Sequence, residues 1–157
     1  MAPGTIKHVQ FQNVICKGES GIVVFGTQES VIEDVSFDNV SVRMKESPLN
    51  DIAGGNFDLR PVLDPKLQIF AHDIPALYAQ YVKGLRINNV DVHWDEMNET
   101  YFTRGIEVGN FEDVSISGFR GTSSPSNTEL PPILLREGKG YNIQPTENNT
   151  TKKHVRR

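Results

Sequence analysis

The sequence predicts an all-β chain wound as a right-handed parallel β-helix of about five partial or complete rungs. Three observations predict it. A nine-residue pattern of apolar positions recurs without gaps, asparagine or glycine returns at one fixed offset inside it, and the variation in length between repeats falls at one corner.

The repeat reads Ile6-Lys-His-Val9-Gln-Phe11-Gln-Asn13-Val14, then Ile32-Glu-Asp-Val35-Ser-Phe37-Asp-Asn39-Val40, then Val82-Lys-Gly-Leu85-Arg-Ile87-Asn-Asn89-Val90, then Phe111-Glu-Asp-Val114-Ser-Ile116-Ser-Gly118-Phe119. The alternation at its second and third apolar positions is the period of two that a half-buried strand requires. A second short strand opens immediately afterwards, at Val14 and Cys16, Val40 and Val42, and Val90 and Val92. Cys16 therefore belongs to an inward column that valine fills elsewhere. The residue before that strand is Asn13, Asn39, Asn89 or Gly118, the residue types that tolerate positive φ. A tight bend is expected there, with the asparagine amides stacked at about 4.8 Å and hydrogen-bonded along the stack.

A third strand precedes each unit, at 21–25, 75–79, 105–108 and 132–135. Leu77 and Ile106 are 29 residues apart and Ile106 and Ile133 are 27 apart, which is one turn of a coil with three short strands. A further unit starts at Ile133 and fades after Ile143. The right hand follows from the general preference of parallel crossovers. A β-sandwich would also supply short strands between turns, yet it gives no reason for asparagine or glycine to return at one offset.

Between the second and third strands the connection varies from 8 residues (Val14 to Ile22) to 37 (Val40 to Leu77). Insertions 45–73, 95–103 and 121–131 are thus expected on one side of the stack, where repeat proteins often bind. The candidate substrate-binding residues are Asp58, Arg60, His72, Asp73, Trp94, Asp95, Glu96, Tyr101 and Arg104. Rings stack on pyranose faces, and charged forks take hydroxyls or uronate carboxylates. A second reading stays open: Asp58 and Arg60 pair inside an ordered loop, and Trp94 extends the inward Val90–Val92 column. Residues 1–143 are expected to form one domain with the long loop 45–73, and 144–157 a flexible polar and basic tail.

Composition narrows the partners. The 157 residues are 37% hydrophobic and 23% charged, enough apolar content for a core. Sixteen basic against 20 acidic residues give a net charge of -4, so nucleic acid is not an expected partner. No apolar run is long enough for a membrane span, and Met1-Ala2-Pro3-Gly4 has no signal-peptide character. One cysteine excludes an internal disulfide framework. Neither a cofactor nor a metal is expected: His72, Asp73 and His93 are the nearest approach to a ligand set, and His93 alternates outward between Val92 and Trp94.

Residues 31–40, Gly-Gly-Asn-Phe-Asp-Leu-Arg-Pro (54–61), Ile-Pro-Ala-Leu-Tyr-Ala (74–79), Val-Asp-Val-His-Trp (90–94) and Gly-Ile-Glu-Val-Gly-Asn-Phe-Glu-Asp-Val (105–114) together resemble the C-terminal rungs of polygalacturonase-like glycoside hydrolases. The likeness spans residues 5–143 and is strongest to bacterial proteins labelled pectinase-like, with the pectin-lyase-like solenoid fold. It implies a uronate-containing polysaccharide as partner and inverting hydrolysis by two acids about 6.5–9.5 Å apart. The family's Asn-Thr-Asp, Asp-Asp, Gly-His-Gly and Arg-Ile-Lys motifs are absent, and Asn127-Thr128-Glu129 is only a superficial echo. No catalytic residue carries over. The resemblance implies a truncated, polysaccharide-active protein or, alternatively, a non-catalytic carbohydrate-binding or structural module. Family members are usually secreted or periplasmic. A stack cut this way leaves an open strand edge, so a homo-oligomer or end-to-end association is expected.

Overall fold

The computed structural model describes residues 4–46, 48, 72–144 and 155–156. The chain is mostly β, and its strands run parallel in one sheet. The strands are β1 (Lys7–Gly18), β2 (Ile22–Phe25), β3 (Ile32–Met44), β4 (Leu77–Trp94), β5 (Ile106–Ser117), β6 (Ile133–Arg136), β7 (Lys139–Ile143) and β8 (Val155–Arg156). They stack in the order β1-β3-β4-β5-β6-β8, with β2 also on β4 and β7 also on β5. No described helix is long and apolar enough to cross a membrane.

The register follows the sequence repeat position by position. Val9 faces Val35, Phe11 faces Phe37, Val14 faces Val40 and Cys16 faces Val42. The same columns continue through Leu85, Ile87, Val90 and Val92, then Val114 and Ile116, then Tyr141 and Ile143. The 75–79, 105–108 and 132–135 segments align as Leu77, Ile106 and Ile133. One cause unites these matches, since a period-two strand slipped by one residue would turn its whole apolar set to the other face.

The core consists of these inward columns, with Leu77, Leu85, Ile87, Val90, Ile106 and Val108 fully buried. Cys16 is half-buried against it, with its thiol 3.5 Å from the Ser41 carbonyl oxygen. The strands are longer than the sequence pattern suggests: β4 runs unbroken over 18 residues. Its ladder passes through bends at Tyr81, Gly84 and Asn89, all at positive φ.

The expected corner is present. Asn13, Asn39, Asn89 and Gly118 have φ of 55°, 56°, 50° and 62°. The Asn39 side-chain amide donates to the Asn13 amide oxygen at 2.6 Å. Gly118 is required twice over, because a Cβ there would lie 2.4 Å from Asn89 Oδ1. Two further columns of positive φ accompany it: His8, Asp34, Gly84, Asp113 and Gly140, and Tyr81, Asn110 and Glu137. Residue type does not mark them as clearly.

These angles yield a direct expectation. Asn39→Ala should lower stability by about 1–2 kcal/mol, the usual cost of a left-handed β-carbon, whereas Asn39→Gly should lower it by less despite losing the same amide bond. Denaturant titration of both variants checks this, and equal losses would remove backbone conformation as the cause.

Insertions 95–103 and 121–131 lie together, as expected. Ser126 Oγ donates to the Glu99 carbonyl at 2.8 Å, Asn127 Nδ2 to the Thr100 and Phe102 carbonyls at 2.7 and 2.6 Å, and the Ser124 amide to the Thr103 carbonyl at 2.8 Å. Glu46, at the start of the longest insertion, accepts from the Asn98 and Glu99 amides. Of the tail, residues 145–154 and 157 lie outside the described residues, while Val155 and Arg156 pair with Leu135 and Arg136.

Candidate functional site

The candidate residues separate into two groups. Asp58 and Arg60 lie outside the described residues. Trp94 and Asp95 stand at the end of β4, beside a groove of about 670 Å³ whose lining includes Lys17, Arg43, His93, Trp94 and Thr122. His72 and Arg104 instead converge on Glu107.

The groove is built by register. Lys17, Arg43 and His93 occupy one outward column, since Lys17 pairs with Arg43 and Arg43 with His93 across successive strands. Asp95 follows β4 and returns across that column, with Arg43 Nε at 2.6 Å and Lys17 Nζ at 3.4 Å. Hydrogen bonding and charge from Arg43, then Lys17, hold its carboxyl below the usual carboxylate range. Two cations against one carboxylate leave a net positive charge at this wall.

Trp94 is pinned rather than loose. Its indole N–H donates to the Thr122 carbonyl at 3.0 Å, and its ring meets Phe102 edge-on at 6.4 Å between centroids. It is half-buried against the core in register with the inward Met44, so the reading in which it extends the inward column also holds. Tyr101 packs on Phe102 at 4.9 Å, and Glu96 and Asp73 are exposed.

In the second group the sequence singles out His72 and Arg104 but not Glu107, Arg136 or Tyr78. Glu107 is on β5, flanked by the inward Ile106 and Val108, so it faces away from the core; even so it is only 4% exposed. Arg136 Nη2 lies 3.0 Å from it, His72 Nε2 3.3 Å and Arg104 Nη1 3.6 Å. Tyr78, its register neighbour on β4, is equally buried and packs on the His72 ring at 4.3 Å. Burial pushes the Glu107 carboxyl up, but His72, Arg136 and Arg104 outweigh it and hold the group below its ordinary value. For His72, burial acts downward and the Glu107 contact upward, with a net rise. Glu107 is therefore a fixed anion and His72 tends toward its cation.

A general acid needs a carboxyl with a raised pKa. Glu33, Asp34, Glu46, Asp95 and Glu107 are all shifted the other way, each by amides or cations drawn to it. Among the described residues no three His, Cys, Asp or Glu groups come together as metal ligands. No family model, curated protein or solved structure matches the chain.

Proposed function

We propose that this chain is a right-handed parallel β-helix segment that binds uronate-containing polysaccharide at the insertion corner without cleaving it. Support for the coil comes from the positive-φ bends at matching positions, Asp34 and Asn39, then Tyr81, Gly84 and Asn89, then Asn110, Asp113 and Gly118, and from registers of 27 and 29 residues between successive rungs. A chain that turns at fixed points and returns to pair with itself one repeat later winds naturally into a stack. A crystal structure with the repeats laid out as an open, unwound sheet would sink the coil.

The observation that carries the binding reading is the Lys17–Arg43–His93 column beside Trp94 in one groove. Lys17 and Arg43, side by side at the strand spacing of about 4.8 Å, suit an extended chain of carboxylate-bearing sugars, and the ring supplies an apolar platform beside them. Binding without cleavage is favoured over hydrolysis because Asp95 is neutralised by two cations and Glu107 is locked among three.

Arg43→Ala and Trp94→Ala should each weaken polygalacturonate binding about tenfold or more, since the loss of one charged hydrogen bond or one stacked ring exceeds about 1.4 kcal/mol. Calorimetry at low salt, with circular dichroism to verify folding, is the measurement. Unchanged affinity in both variants would remove the groove as the site.

A further inference from the structure

Two arginines on the outward face of the insertion corner are paired with aspartates, and the two pairs differ. Arg120 and Asp91 form a closed fork, with Nε 2.5 Å from Oδ1 and Nη2 2.8 Å from Oδ2, so that carboxylate commits both oxygens to one guanidinium. Asp95 divides its oxygens instead: Oδ1 accepts from Arg43 Nε at 2.6 Å and Oδ2 faces Lys17 Nζ at 3.4 Å. Lys17 and Arg43 are register partners on β1 and β3, so one carboxylate spans two cations on adjacent strands. The forked pairing is the stronger form, and Arg43 holds Asp95 by a single N–H. The Arg43 and Lys17 side chains are 59% and 55% exposed, which leaves both open to an anion from solution. Ion pairs as exposed as these contribute little to folding and exchange readily.

The backbone that carries Asp95 is fixed. Its amide donates to the Met44 carbonyl at 2.9 Å, and Glu46 accepts from the Asn98 and Glu99 amides just beyond it. Freeing the two cations therefore needs only the rotation of one side chain.

We propose that Asp95 occupies the place of a ligand carboxylate, and that an acidic sugar binds by displacing it from Lys17 and Arg43. This inference rests on the saccharide-binding reading and refines it by naming what the ligand must replace. The exchange sets one carboxylate in place of another, so net affinity comes from the rest of the chain, including the sugar that lies on Trp94 in the same groove. Asp95 stays tethered beside the cations and returns when the sugar leaves. It thus weakens acidic ligands selectively, whereas a neutral sugar, which has no carboxylate to offer the cations, leaves it in place.

The test compares the wild-type chain with Asp95→Asn, which keeps the side-chain shape and removes the charge, by calorimetry against polygalacturonate and its fully methyl-esterified form, with circular dichroism to verify folding. Asp95→Asn should bind polygalacturonate about fivefold more tightly at low salt, the factor carried by one unit charge at contact distance in water. The gain should shrink as salt is raised, and the neutral ester should show none. In the wild-type chain, saturating trigalacturonate should move the Asp95 carboxyl titration, followed by carbon NMR, up from its lowered position, because the displaced group loses Arg43 and Lys17. Equal or weaker polygalacturonate binding by Asp95→Asn, an equal gain for the ester, or an unmoved Asp95 titration at saturation would overturn the inference and leave the saccharide reading standing. Absence of binding by both proteins would overturn the reading and the inference together.

Discussion

Glu107→Ala should lower the unfolding free energy by about 3 kcal/mol, the largest loss expected from any single charged side chain here. The substitution leaves His72, Arg104 and Arg136 facing one another with their common anion removed. Those cations keep some contact with solvent, so the low end of the range for a broken buried pair applies. For a chain of this size the midpoint of thermal unfolding should fall by roughly 6–12 °C. A change below 2 °C would mean that the cluster is not coupled to the fold.

The same cluster sets a pH dependence with two limbs of opposite sign. The folded-state pKa of Glu107 is lowered, so its contribution is complete above the ordinary glutamate value, about 4.3, and is lost as pH falls through the lower folded value. The folded-state pKa of His72 is raised, so its contribution is complete below about 6.5 and is lost as pH rises through the higher folded value. The cluster's contribution should therefore be largest between those two ordinary values. Glu107→Gln should weaken both limbs together, because Glu107 is the first of the causes that raise His72, with the Asp73 carbonyl contributing the rest. Thermal melts of the two proteins from pH 3 to pH 9 check this, and an alkaline limb of unchanged size would assign the His72 shift to the Asp73 carbonyl alone.

Phe102→Ala should cost about 3–5 kcal/mol, as expected for deleting a fully buried ring. Phe102 sits where the insertions meet the core. Ile74 bridges to it, Asn127 Nδ2 donates to its carbonyl, and both Trp94 and Tyr101 lean on its ring. Its loss should also free Trp94, the only tryptophan, so the emission should shift to longer wavelength while saccharide affinity falls. A destabilised variant with unshifted emission and full affinity would separate Phe102 from the groove.

The sequence reveals the strand registers because inward positions are chemically constrained. Valine, isoleucine, leucine and phenylalanine recur in the columns of Val35 and Phe37, and a positive-φ corner selects asparagine or glycine at residues 13, 39, 89 and 118. The other two bend columns are obscure because they mix His8, Asp34 and Asp113 with Gly84 and Gly140, or Tyr81 with Asn110 and Glu137. The Glu107 cluster was hidden for a different reason. Its partners come from His72, Arg104 and Arg136, and only the strand register brings Arg136 beside a residue 29 positions earlier. A legible clue existed: an acid between Ile106 and Val108, on a strand otherwise apolar from Ile106 through Val108, calls for a compensating cation. For Asp95, residue type suggested a ligand contact, whereas position made it the counter-ion of Arg43 and Lys17.

The most direct test of the proposed function is reducing-sugar release from polygalacturonate and a panel of pectic polysaccharides, run beside a co-sedimentation assay on the same samples. Saturable, salt-sensitive binding with no release of sugar is the expected result. Release of sugar that persists in a Glu107→Gln variant and disappears on substituting Asp95 and Glu96, with folding intact, would contradict it by making the insertion corner an active site.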